Sequence, residues 1–255
     1  MVIQEVVAQN NIRYEVPKYS VGNNEQVVKH SGFTLLHSKQ FNVSRWVAYQ
    51  LKAEYVQGKA PARKGNRNDP KVSTVFKSSD FASNIFDKGH QAPHKHLAYS
   101  SQTILEASYF TNITPQHKDL NGSLWVRLDK FTVRLANSYD SVYITTGCIF
   151  NEDFGRTKRN IAIPDAYFKA ILIQYENEFK AIGFIIPNKK PKKTCLCSYA
   201  VTIDSLENLT GLDFFSQLDL TIQNKIESEI DSKLWGLCND KCVKIRKSDT
   251  KRRRR

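Results

Sequence analysis

The stretch DKGHQAP (87–93), followed by FTNITPQHKDLNGSLWVRLD (110–129), decides how this chain is read. The first segment holds Asp87, Lys88, Gly89 and His90; the second holds Asn112, Asn121, Trp125 and Asp129. Histidine suits the removal of a proton from water near neutral pH. Gly89 lets the backbone bend, so that the imidazole can face a cleft. Asn121 is a neutral oxygen donor, and Mg²⁺ tolerates a single amide with several waters because it gives up its waters reluctantly. Asp129 lies about 12 Å further along a helix axis, so it can hold a metal-bound water but not the same metal directly. On spacing alone the plainer reading makes Asn121 a helix N-cap and Asp129 a surface charge. His94, His96 and His117 are near in sequence, but no carboxylate or cysteine completes a familiar zinc spacing. His94 and His96 therefore read as bystanders.

Working outward, Leu120, Leu124, Leu128, Phe131 and Leu135 recur at steps of four, four, three and four, which predicts a helix with a core-facing stripe. Asn121, Trp125 and Asp129 form a neighbouring stripe. GFTLLHS (32–38) and RWVAYQLKA (45–53) read as strands around a short turn. YFTNI (109–113), VYITTGCIF (142–150), AYFKAILIQY (166–175) and AIGFIIP (181–187) also read as strands. Further helices are expected near 100–108, over 205–209 with Gly211 as C-cap, and over 221–235. Residues 57–80 read as a long loop, and the first thirty as polar chain extended over the surface. Strands, then a helix, then strands and helices predict an α+β fold with a mixed or antiparallel sheet. The division expected is an extension over 1–30, one domain over 31–240 and a basic tail over 241–255.

The chain has 255 residues and 40% hydrophobic content, enough for a sizeable core. No apolar run is long enough to cross a membrane. The N-terminus lacks the basic start and apolar stretch of a signal peptide. Net charge is +13, with nine basic residues and one acid between Lys241 and Arg255. That tail reads as an arm that touches phosphates or, equally, as a solvated terminus. A second basic patch, Lys59, Arg63, Lys64, Arg67 and Lys71, lies in the long loop and suits a polyanion backbone. Lys189, Lys190, Lys192 and Lys193 read as a solubilising surface. Cys148 reads as a buried small hydrophobe. Cys195, Cys197, Cys238 and Cys242 form a C-x-C and a C-x3-C, spacings unlike the common zinc pattern; they read as cross-links in an exported protein and as thiols in a cytosolic one. A base, a hard metal ion and a basic surface together fit phosphodiester hydrolysis.

DKGHQAP resembles the DRGH signature of the DNA/RNA non-specific endonucleases, which are ββα-metal (His-Me finger) nucleases. Asn112, Pro115-Gln116, Asn121, Trp125 and Leu128-Asp129 follow the same pattern. The likeness continues through VYITTG, PDAYFKAIL, FIIPN and LENLTGLDFF, and covers roughly residues 30 to 220. It implies a mostly antiparallel central sheet flanked by helices, and a Mg²⁺-dependent endonuclease acting on both DNA and RNA, with Mn²⁺ or another divalent cation able to substitute. His90 matches the general base and Asn121 the protein ligand of Mg²⁺. Asn112 matches an amide that positions the site, and Asp129 takes the place of a glutamate that orders metal-bound water. Arg67 looks like the arginine that contacts the phosphate, with Lys88 also on the substrate side. The family further implies a secreted or periplasmic protein, monomeric or dimeric; an inhibitor partner fits a toxin-type relative, for which the sequence offers no delivery domain.

Three positions depart from the pattern. Lys88 replaces Arg, which keeps charge but loses the bidentate fork. Asp129 is one methylene shorter than Glu. Val133 stands where many relatives carry Arg, and Arg134 one step on points about 100° away. These departures motivate a rival reading, a catalytically weak nucleic-acid-binding protein that keeps the fold.

Overall fold

The computed structural model describes residues 12–61, 65–175 and 178–237. Arg63, Lys64, Cys238, Cys242 and the basic tail lie outside the described residues. The chain opens with β1 (Glu25–Lys29), β2 (Thr34–Ser38) and β3 (Val43–Leu51), then a short α1 (Ala53–Val56). After the long loop come β4 (Phe86–His90), α2 (Ser101–Ala107) and β5 (Ile113–His117). A π turn over Leu120–Trp125 runs directly into α3 (Val126–Ser138). β6 (Val142–Ile149), β7 (Ala166–Tyr175), β8 (Glu178–Pro187) and β9 (Ala200–Val201) complete the strands. α4 (Ile203–Thr210), α5 (Leu220–Glu227) and α6 (Ser232–Trp235) follow.

Seven strands form one sheet in the order β1-β2-β3-β6-β7-β8-β9. Every neighbouring pair in it is antiparallel. β4 and β5 form a separate two-stranded ribbon. Successive side chains of a strand point to opposite faces, and both faces of this sheet are covered. Val47, Tyr49, Leu51, Tyr167, Ile171 and Ile173 face a core shared with Leu128, Phe131 and Leu135 of α3. Trp46, Ala48, Phe168, Ala170 and Leu172 face a second core with Ile203 and Leu206 of α4 and Ile226 of α5. Burial on both sides explains why β7 is apolar almost throughout, apart from Lys169 and the exposed Gln174 near its end. Each large apolar side chain buried here contributes roughly 1.5–3 kcal/mol.

The sequence pattern and the structure differ at four places. Residues 25–29 are not surface chain: they pair with β2 as the edge of the sheet, and Glu15 upstream is buried against Arg13. YFTNI is not one strand: Phe110–Asn112 is a 3₁₀ turn, and β5 begins only at Ile113. The helix expected from residue 120 starts as a π turn, with Asp119 and not Asn121 at its N-cap. The helix expected over 221–235 is two helices, because Asp231 caps a new one by accepting from the N–H groups of Lys233 and Leu234. Gly211 does close α4 in the left-handed conformation, at φ 68°.

Candidate active site

The ribbon carries the first site residues. His90 ends β4, opposite Ile113, and Gly89 pairs with Thr114. Gly89 is extended, so it does not serve to bend the backbone as its neighbourhood implied. Its role is space: a Cβ there would lie 2.5 Å from Oε1 and 2.6 Å from Cβ of Gln116. The ribbon is fastened to its surroundings by two side chains. The Tyr167 hydroxyl lies 2.9 Å from both Thr114 Oγ1 and the Pro115 carbonyl. The Asn188 amide donates to the carbonyls of Pro115 and Pro164, and its oxygen accepts from the N–H of His117. FIIPN and PDAYFK thus contribute one clamp each.

Nε2 of His90 is buried and has no hydrogen-bond partner among the described residues. Burial, then the adjacent His94, then Lys88 push its pKa down from 6.5 to about 3. The imidazole is therefore neutral at pH 7, the state required of a proton acceptor. His94 is no remote bystander. Its ring centroid is 4.4 Å from that of His90, and its Nε2 meets the Ser108 hydroxyl at 3.1 Å. The Ser108 carbonyl in turn accepts from the N–H of Arg67 at 3.1 Å. Ser108 thereby links the Arg67 backbone to the histidine pair, while the Arg67 side chain is exposed. Lys88 is half-buried and donates to the Ser78 hydroxyl at 2.5 Å.

Asn112 is fully buried, and its side chain is committed to the backbone. Its Oδ1 accepts from the N–H of Ala92, and its Nδ2 donates to the carbonyls of Ala92 and Ala107. These bonds replace strand pairing for residues 110–112, and they fix the turn that follows His90. Asn112 therefore acts on geometry and does not present its amide to solvent.

Asn121 sits in the π turn, half-buried, with no side-chain hydrogen bond among the described residues. Such turns often mark functional positions in helices. Two turns on, Oδ1 of Asp129 lies 2.7 Å from the ammonium of Lys169, which is completely buried. That ammonium also lies 4.9 Å from the Trp125 ring centroid. Burial raises the Asp129 pKa, and Lys169 opposes the rise. Beside this pair, the Tyr49 hydroxyl meets Nδ1 of buried His96 at 3.0 Å. Burial and the Lys169 charge push His96 down to about 3. His96 is thus a neutral core histidine.

Sequence reading missed Lys169, Tyr167, Asn188 and Ser108. For Lys169 a signal existed, since it is the lone charge in the apolar run AYFKAILIQY. The other three are ordinary polar residues whose role appears only with their partners. Cys148 is a buried thiol, its pKa raised by burial, and Cys195 is disulfide-bonded. Among the described residues no helix is long and apolar enough to cross a membrane.

Known proteins resemble this chain in sequence and in fold. The chain is 32% identical over 224 residues to a nuclease of Serratia marcescens, with 81% of each chain covered. It is 26% identical over 216 residues to mitochondrial endonuclease G of Homo sapiens, covering 78% of this chain and 73% of the relative. A solved EndoG/EndoGI complex contains a chain of similar fold, with a TM-score of 0.72 and 23% identity, covering 82% of this chain and 91% of that one. The fold is accordingly the ββα-metal one, with β4, β5 and the helix after them as the ββα unit. A sequence model described as DNA/RNA non-specific endonuclease matches residues 11–221. The chain belongs to the DNA/RNA non-specific endonuclease family.

Proposed function

We propose that this protein is a divalent-cation-dependent endonuclease that hydrolyses phosphodiester bonds of DNA and RNA, with His90 as general base. The observation that carries this reading is a neutral His90, half-buried and so partly open to solvent, at the end of β4 in a chain of this family. The solvent-facing part of the imidazole takes a proton from a water whose oxygen bonds to phosphorus; the bond from phosphorus to the 3′ oxygen breaks, and that oxygen takes up a proton from solvent. Products carry 5′-phosphate and 3′-hydroxyl. External water needs no 2′-hydroxyl, so both nucleic acids are substrates. The exposed Arg67 binds the phosphate and offsets its growing charge. Lys88 adds positive charge on the same strand as His90.

The donors present fit a hard cation. Asn121 offers a half-buried amide oxygen with no competing hydrogen bond among the described residues. Asp129, 18% exposed, keeps one carboxylate oxygen beyond the one bonded to Lys169. Oxygen donors of this kind suit Mg²⁺ or Mn²⁺. Bound at Asn121, the cation supplies Lewis-acid stabilisation of the charge on phosphate and leaving oxygen.

The test is plasmid nicking and RNA cleavage with and without Mg²⁺, for the parent and for Asn121→Ala. Cleavage that needs Mg²⁺ and is lost in the variant supports the reading. Nucleic-acid binding with no cleavage under any divalent cation supports the weak binder instead, a reading favoured by the commitment of Asp129 to Lys169.

A further inference from the structure

The face of the sheet opposite α3 carries α4 and α5, which pack on it through Ile203, Leu206 and Ile226. Three carboxylates converge between them: Asp204 and Glu207 from α4, and Glu227, the last residue of α5. One oxygen from each lies within 4.8 Å of the others. Asp204 is exposed, Glu207 half-buried and Glu227 only 6% exposed, so the group opens to solvent on one side. The charge of Asp213 also acts on Glu227. Its own partner, Lys18, is an exposed residue 3.6 Å away.

Glu227 differs from the other buried acids. Glu15 is paired with Arg13, and Asp69 with His30 and Thr111. Asp80 accepts from the N–H of Lys77, and Glu106 from Ser31 and Gln102. Oε1 of Glu227 is buried and has no hydrogen-bond partner among the described residues. A buried acceptor left unpaired is costly and rare. It lies among like charges in a chain that is otherwise strongly basic. Burial first, then Glu207, Asp204 and Asp213, raise its pKa to about 8.

We propose that Asp204, Glu207 and Glu227 form a second cation site, for a large hard divalent ion of the calcium class, separate from the candidate active site. The donor set is oxygen only, which disfavours soft metals. Oxygens on opposite sides of an ion are about 4.1 Å apart for Mg²⁺ and about 4.8 Å for Ca²⁺. Oxygens held within 4.8 Å of one another are close enough to share such an ion. The exposed side leaves room for waters to complete its shell. The ion removes the orphaned acceptor, and it ties the end of α5 to α4.

The test uses full-length protein freed of metal with a chelator. Thermal unfolding is followed across a Ca²⁺ series for the parent, Glu227→Gln, Asp204→Asn and Asn121→Ala. The parent is expected to gain roughly 2–8 °C in Tm with saturation. Asn121→Ala should gain as much, and each carboxylate variant should weaken the apparent affinity at least about tenfold. Asp204 is exposed, so its variant reports on the site even if the Glu227 variant folds poorly. No saturable gain in the parent overturns the proposal. So does a gain kept in full by both carboxylate variants, or one abolished by Asn121→Ala.

Discussion

The ammonium of Lys169 lies 2.7 Å from Oδ1 of Asp129, and it is completely buried whereas the carboxylate is 18% exposed. The pair joins β7 to α3 beneath the candidate site. The charge and hydrogen bond of Lys169 oppose the rise of the Asp129 pKa that burial causes. Removing Lys169 leaves an uncompensated carboxylate with a stronger tendency to take a proton, which would end the proposed role of Asp129 in holding a metal-bound water. Lys169→Met should cost about 3 kcal/mol of stability and at least about tenfold in kcat. Adding Asp129→Asn should recover stability but not turnover. Urea unfolding beside nicking rates checks both, and turnover restored in the double variant would show that the carboxylate is not needed.

Gly89→Ala tests the packing of the ribbon. The new Cβ meets the side chain of Gln116 at 2.5–2.6 Å, inside any tolerable contact. β5 must shift, at a cost of about 1–3 kcal/mol, and His90 shifts with β4. Shortening the opposing side chain with Gln116→Ala should restore part of the loss. A double-mutant cycle in stability measures this coupling; additive effects would place the strain elsewhere.

His90 makes a prediction about pH. Its pKa is lowered from 6.5 to about 3, so free protein keeps the base unprotonated through mildly acidic pH. The acid limb of kcat/KM that belongs to His90 should lie well below 6.5. Lys88→Ala removes a repelling charge and should move that limb upward, by less than burial moves it down. His90→Ala should lower the rate about 10²–10⁴-fold with binding retained. An NMR titration placing the His90 pKa near 6.5 would contradict the described environment.

His37 offers a prediction on stability alone. It is fully buried in β2, with both ring nitrogens unpartnered among the described residues. Burial, moderated by Asp69 and reinforced by Lys39, lowers its pKa to about 4. The folded form therefore refuses a proton that the unfolded chain accepts below 6.5. Stability is lost as pH falls through 6.5, and the loss levels off below about 4. At pH 5 it amounts to about 2 kcal/mol. His37→Leu should remove that loss and the two orphaned nitrogens, so its advantage should grow between pH 7 and 5. An advantage independent of pH would show that His37 titrates normally.

Much of this was legible in the sequence, for physical reasons. β2, β3, β6, β7 and β8 lie under helices or loops on both faces, so their apolar runs mark them. The stripe of α3 is equally plain. β1 was not legible, because EQVVK is an edge strand with few apolar residues. The 3₁₀ turn at Asn112 was hidden because a side-chain amide replaces the ladder there. The π turn keeps leucines facing the core, so periodicity reads it as α-helix. Of the site, the DKGH segment and the two asparagines stood out by motif. Lys169 needed its partner across the sheet to show what a lone charge in β7 is for.

The basic tail lies beyond the part of the chain that matches the family, which ends at residue 221. Residues 244–255 carry eight basic side chains and one acidic one, and none of the proposed catalytic residues. Truncation before Lys244 also spares Cys238 and Cys242. It should leave kcat unchanged. At low salt it should raise KM for long duplex DNA, because fewer phosphates are neutralised and fewer counterions released. The difference should shrink as salt screens the tail, with a Debye length of about 8 Å near 0.15 M. KM measured across a salt series for both forms decides the matter. A lower slope of log KM against log salt in the truncated form shows the tail on substrate. Equal slopes show a passive terminus, and a fall in kcat shows that the tail supports the domain itself.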